Sequence, residues 1–150
     1  MKYTTALIAY SGAHHTEHNK ILADLQHEKI DQRNIDLPLA EGAHCTIIEE
    51  IDNEIKLIDL LIVYLSKQTK DHPCMNYCIE SANKKNIRII GIWLDDAEPQ
   101  DLGACMDQLG DGVCVYDENF IDNIMSETPT WTNPDGTPPT KRKINKHICG

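Results

Sequence analysis

The stretch LSKQTKDHPCMNYCIESANKKNIRIIG, residues 65–91, decides how this chain folds. It opens on the last residue of an apolar run, LLIVYL at 60–65, crosses a polar loop and meets Pro73. Proline suits the first position of a helix, where its missing N–H would have no intrahelical partner. From there Met75, Cys78, Ile79 and Ala82 recur at helical spacing, which predicts a helix over 73–85 with that stripe against a core. Asp71 or His72 falls near its N-cap. The run IRIIGIW at 87–93 then predicts a second strand. Both strands are apolar without alternation, the pattern of strands covered on both faces.

The same alternation extends in both directions. Residues 4–10 read as a strand that stops at the turn Ser11-Gly12, and residues 14–30 as a helix carrying Ile21, Leu22, Leu25 and Lys29, with His18 and Glu28 on its wetter side. A short strand is expected near 34–37. A loop follows over 37–42, where Pro38 keeps Leu37 extended and Gly42 frees the backbone. Ile47, Ile48, Ile51 and Ile55 predict a helix over 45–56; beyond residue 93, a helix near 100–109, a strand at 112–116 and a helix near 118–126 complete the series. Strands separated by helices imply a parallel sheet with helices on both faces, an α/β doubly wound domain over residues 1–126.

After Ser126 the composition changes. Four of the seven prolines, Pro129, Pro134, Pro138 and Pro139, fall within 128–140, which excludes a helix or a central strand. Residues 127–150 are therefore read as a Pro-rich arm ending in the basic cluster Lys141, Arg142 and Lys143, with Lys146 and His147 beyond. Either the arm is a loosely packed extension or Trp131 fastens it to the domain or to a partner.

A length of 150 residues suits one domain, and 41% hydrophobic with 25% charged residues suits a globular chain. No apolar run approaches the roughly 20 residues of a bilayer span, and the start lacks the pattern of a secretory leader. A formal net charge of −10 opposes generic attraction to nucleic acid or to an anionic membrane. The six cysteines are scattered, which predicts reduced thiols in a cytoplasm rather than a disulfide framework. His14 and His18 share a helix face at i and i+4, yet no matching Cys or His pair follows, so no metal site is expected. Asp95 and Asp96, ahead of Pro99, read as a polar turn, with a ribose hydroxyl or Mg2+ as the alternative ligand.

The order of these pieces resembles the bacterial TIR-like family, in which a strand ending in Ser-x-x-Thr, here Ser66 to Thr69, precedes a helix with two aromatic positions and a catalytic Glu. Residues 3–12 look like its first strand and loop, 35–46 like its BB loop, and 61–69 with 73–86 like its central strand and active-site helix. The resemblance spans residues 1–126 and implies a flavodoxin-like, five-stranded parallel sheet. It also implies cleavage of NAD, as substrate rather than prosthetic group, at the bond between nicotinamide and ribose. Similar proteins of Thoeris-type phage defence make a cyclic or conjugated ADP-ribose signal for a separate effector, and TIR-to-TIR self-assembly is expected with them.

Loss of nicotinamide leaves positive charge on the ribose, which an ionised carboxylate stabilises. In the pattern's register Cys74 and Tyr77 take the two aromatic positions and Cys78 takes that of the Glu; Glu80 is the nearest carboxylate, about 200° further round a regular helix. Three readings stay open: a domain that has lost catalysis and binds a nucleotide or a partner, an irregular helix that brings Glu80 into use, or a displaced register. Glu80 and Cys78 are thus the candidate catalytic residues, with Ser11, Gly12, His14, Leu39, Ser66, Tyr77 and Trp93 beside the ligand. On spacing alone, Glu80 is a helix carboxylate paired with Lys84, and Cys78 a small buried hydrophobe. A nucleoside deoxyribosyltransferase-like enzyme, with a carboxylate nucleophile on the same sheet, is the third alternative.

Overall fold

The computed structural model describes residues 3–12, 15–39, 42, 44–128 and 130–138. Five parallel strands, β1 (Thr5–Tyr10), β2 (Asp31–Asp36), β3 (Leu60–Leu65), β4 (Arg88–Trp93) and β5 (Gly112–Cys114), form one sheet in the order β2-β1-β3-β4-β5. This is the flavodoxin-like arrangement. Every residue of β3 is buried, as a central strand covered on both faces requires. At one edge β2, DQRNID, buries only Ile35 fully, which explains its polar sequence.

Helices α2 (Ile48–Ile55), α3 (Pro73–Lys84) and α4 (Ala104–Leu109) cover one face, packing on Leu7, Ala9, Leu61, Val63 and Ile89. Helices α1 (His18–His27) and α5 (Phe120–Met125) cover the other, on Ala6, Ile8, Ile62, Ile90 and Ile92. Successive residues of one strand thus feed opposite cores.

The stripe read from α3 is correct: Met75, Cys78, Ile79 and Ala82 are all buried. His72 is the N-cap, its Nδ1 accepting the Cys74 N–H at 3.0 Å, and Pro73 opens the first turn. The helix stops where Asn86 takes φ +57° and the Ile87 N–H closes on the Ala82 carbonyl. Gly91 has a steric cause in β4: a Cβ there would sit 2.9 Å from Leu65 Cδ1 and 3.1 Å from Met106 Cε.

Several expected boundaries shift. The helix anticipated from residue 14 begins at His18, because the His15 carbonyl takes the His18 N–H in a preceding turn. The expected helix over 100–109 divides into a 3-10 turn (Pro99–Asp101) and α4, with Gly103 extended between them. The described part of the arm, residues 127–128 and 130–138, is fastened to the domain around Trp131. Trp131 forms a parallel bridge with Val113, Thr130 O accepts the Val113 N–H at 2.8 Å, and Trp93 Nε1 donates to Thr132 O at 2.9 Å. This covers part of the edge of the three-residue strand β5. The basic cluster at 141–147 lies outside the described residues.

Among the described residues the expectation of reduced thiols fails for Cys45, Cys74 and Cys105, all of them disulfide-bonded. Cys45, in the chain leading into α2, and Cys74, in the first turn of α3, form a disulfide with their Cα atoms 4.5 Å apart. Packing of α2 beside α3 brings together cysteines 29 residues apart, a proximity that spacing along the chain does not reveal. Cys78 and Cys114 are buried free thiols.

Candidate functional site

The strand order reverses direction at β1 and β3, whose carboxyl ends are the usual ligand crevice of such sheets. There the polar groups satisfy one another. Ser11 is buried and its Oγ donates to Leu37 O at 3.2 Å, while the Gly12 N–H, at φ +78°, donates to Asp36 Oδ1 at 3.1 Å. Thr69 Oγ1 accepts the Ser66 N–H at 2.9 Å and donates to Tyr64 O at 3.0 Å. The Ser-x-x-Thr segment thus ends β3 with a side-chain turn. His72 is also buried, and its Nε2 lies 2.6 Å from Pro38 O, so the chain after β2 is held against the start of α3 both here and by the Cys45–Cys74 bond.

On α3, Cys78 is 0% exposed and belongs to the core under α2, α3 and α4. Burial alone pushes its thiol up to about 12, so it is neutral at pH 7. Glu80 is half-buried in the third turn, roughly 10 Å along the axis from Pro73 at 1.5 Å per residue. Tyr77 turns to α2, its hydroxyl donating to Asp52 Oδ1 at 2.7 Å. Leu39 is 78% exposed, and Trp93 is buried with its ring nitrogen committed to the arm. His14 lies outside the described residues. The candidates Ser11, Gly12 and Ser66 therefore come together at the strand ends, whereas Glu80, Tyr77 and Leu39 diverge.

A second cluster, on the α1 side, joins Trp93 and Asp95, both read from the sequence as possible ligand contacts, to residues that were not. A cleft of about 420 Å³ opens at the carboxyl ends of β4 and β5, lined among others by His15, Thr16, Lys20, Trp93, Asp95 and Tyr116. Thr16 Oγ1 donates to Asp95 Oδ2 at 2.6 Å, and this bond first, with the His15 charge as a lesser cause, holds the Asp95 carboxyl below its usual range. His15 Nδ1 accepts the Glu17 N–H at 2.9 Å, which leaves the neutral ring's proton on Nε2, 3.8 Å from Asp95 Oδ1. The cleft thus presents the Asp95 carboxylate and an imidazole N–H, with the Lys20 ammonium paired to Glu17 at 2.9 Å on its wall.

Beneath it His18, expected on the wetter side of α1, is buried with Nδ1 2.6 Å from the Tyr64 hydroxyl. Desolvation raises the Tyr64 phenol well above its ordinary value, so it stays protonated. The sequence signal for this pair is one tyrosine in an otherwise aliphatic central strand, opposite a histidine in register with Ile21 and Leu25. Among the described residues no group of three or more His, Cys, Asp or Glu is placed to hold a metal ion, and no helix is long and apolar enough to cross a membrane.

Neither a curated protein nor a solved structure matches the chain. A family model does: that of the Thoeris protein ThsB, TIR-like domain, over residues 8–99. The match runs from β1 through β4 and includes all of α3, and stops short of β5 and the arm, a narrower span than the 1–126 read by resemblance. With more than half of its length matched, and with the sheet order and helix placement described above, this chain belongs to the Thoeris ThsB TIR-like domain family.

Proposed function

We propose that this chain serves Thoeris-type defence as a catalytically silent TIR-like module, acting by assembly with a partner TIR-like domain rather than by cleaving NAD. One observation carries the reading: Cys78, the side chain that the resemblance sets at the position of the family's Glu, is a neutral thiol with no exposed surface. Cleavage of the nicotinamide–ribose bond needs negative charge beside the developing oxocarbenium ion. A neutral thiol supplies none. The exposed side chains of Leu39, in the chain after β2, and of Ile48, at the start of α2, are apolar surface suited to a partner domain.

The enzyme reading takes NAD as substrate, Glu80 as the carboxylate and an ADP-ribose-derived signal as product for a separate effector. It requires α3 to rotate or unwind so that Glu80 reaches the strand ends, and a deoxyribosyltransferase-like enzyme would need a carboxylate in the same place. Nicotinamide release from NAD, followed with the purified chain both dilute and concentrated enough to assemble, tests the proposal. The expected result is no release above a protein-free blank from the parent or from Glu80→Gln, with self-association in sedimentation that Leu39→Asp abolishes. Release that Glu80→Gln removes would establish the enzyme instead.

A further inference from the structure

We propose that Cys45 and Cys74 form a reversible thiol–disulfide site that sets whether the chain entering α2 is fastened to the start of α3. The inference does not depend on whether the domain cleaves NAD.

Three observations carry it. First, the bond joins two separate elements at the strand-end crevice, not two parts of one loop: Cys45 precedes α2, and Cys74 lies in the first turn of α3. Second, the two sulfurs are unequal. Cys45 is half-buried, whereas Cys74 is 2% exposed, so an incoming thiolate reaches the Cys45 sulfur. Third, attack at Cys45 expels the Cys74 sulfur, which stays in the first turn of the 12-residue helix α3, beside the N-terminal end of its dipole. The other described polar ties between these segments are non-covalent, His72 Nε2 against Pro38 O and the Tyr77 hydroxyl on Asp52, so opening the disulfide removes the covalent fastening.

The co-reactant is a small thiol of the glutathione class. Its thiolate attacks the Cys45 sulfur, forming a mixed disulfide and releasing the Cys74 thiolate, which takes a proton from water. A second thiol attacks the outer sulfur of the mixed disulfide, returning Cys45 as a thiol and leaving one molecule of oxidised co-reactant. Two electrons pass to the protein, and two small thiols become one disulfide. Disulfides that persist only while a reducing pool permits are the ones that act as sensors.

The test uses the full chain equilibrated in glutathione buffers from fully oxidised to fully reduced. Thiols are blocked with iodoacetamide in denaturant, and disulfides are then reduced and labelled with N-ethylmaleimide for peptide mass analysis. Parallel native samples meet chymotrypsin, with cleavage after Leu39 as the readout. Cys45 and Cys74 are expected to carry the second label in oxidised buffer and the first in reduced buffer, while Cys78 carries the first throughout. Cleavage after Leu39 is expected to accelerate about tenfold or more on reduction, because proteolysis follows local opening. Cys45→Ser should show the fast cleavage in both buffers.

Three results would overturn the proposal: Cys45 blocked by iodoacetamide even in oxidised buffer; the pair still bonded in reduced buffer; or equal cleavage rates in the two states. Fast cleavage spreading to β3 on reduction would also count against it, since the bond would then hold up the whole domain rather than fasten two elements.

Discussion

Replacing Cys78 with Glu supplies a carboxylate at the position where the resemblance expects one, and the structure predicts that it restores nothing else. The site has no exposed surface, and its neighbours Cys74, Met75, Ile79 and Ala82 are themselves buried. Glu carries three more side-chain heavy atoms than Cys, and overpacking a filled core costs about 1–3 kcal/mol. The carboxyl must also stay protonated there. Against an unperturbed value near 4.3, holding the proton at pH 7 costs up to about 3.7 kcal/mol, and at pH 5 about 1 kcal/mol. The sum is about 5–7 kcal/mol at pH 7, comparable with the whole stability of many domains. The sign follows from a raised folded-state pKa: the penalty is absent below the unfolded value and grows as pH rises toward the folded one. Urea unfolding of the parent, Cys78→Glu and Cys78→Gln at both pH values measures it. Glu should regain about 2.7 kcal/mol relative to the parent between pH 7 and pH 5, whereas Gln, of equal bulk, should not. A Glu variant as stable as the parent at pH 7 that also releases nicotinamide from NAD would refute the reasoning, because the side chain at 78 would then open to the crevice.

Two further outcomes follow from the α1 side of the sheet. Tyr64→Phe removes the hydroxyl 2.6 Å from His18 Nδ1 inside the core, and a midpoint loss corresponding to about 1–3 kcal/mol is expected in urea unfolding; an unchanged midpoint would deny the buried pair. Thr16→Val removes the first cause of the lowered Asp95 pKa, so a carboxylate titration followed by NMR should move up toward 3.8. Because the Asp95 pKa is lowered in the folded state, its contribution exists above the unfolded value and fades as pH falls through the folded one. The Thr16→Val variant therefore loses less stability on acidification, by well under 1 kcal/mol, since the Asp95 side chain is 54% exposed.

The sheet was readable because its signal is local. An all-apolar β3, a Pro-initiated α3 with its stripe at 75, 78, 79 and 82, and an apolar β4 allow few arrangements other than a parallel βαβ unit. The site was less readable, because its residues meet only after distant elements pack. Thr16 and Asp95 are 79 residues apart and His18 and Tyr64 are 46 apart, and no spacing announces either pair. His18 was placed on the wet side since helical periodicity assigns faces relative to neighbours in one helix; what it meets there is Tyr64, the one polar tip in β3.

Sequence by itself determined the class of fold, the order of strands and helices, the resemblance that the family match supports, and a Cys at position 78, where that resemblance looks for a Glu. Each of these is written in residue type and short-range period. Tertiary structure decided what those residues can do. Burial under three helices makes Cys78 a neutral core thiol, packing of α2 on α3 turns two scattered cysteines into a bond, and pairing with Val113 fastens the Pro-rich arm. Exposure, charge state and long-range pairing depend on what surrounds a group in space, which the order of residues along the chain does not specify.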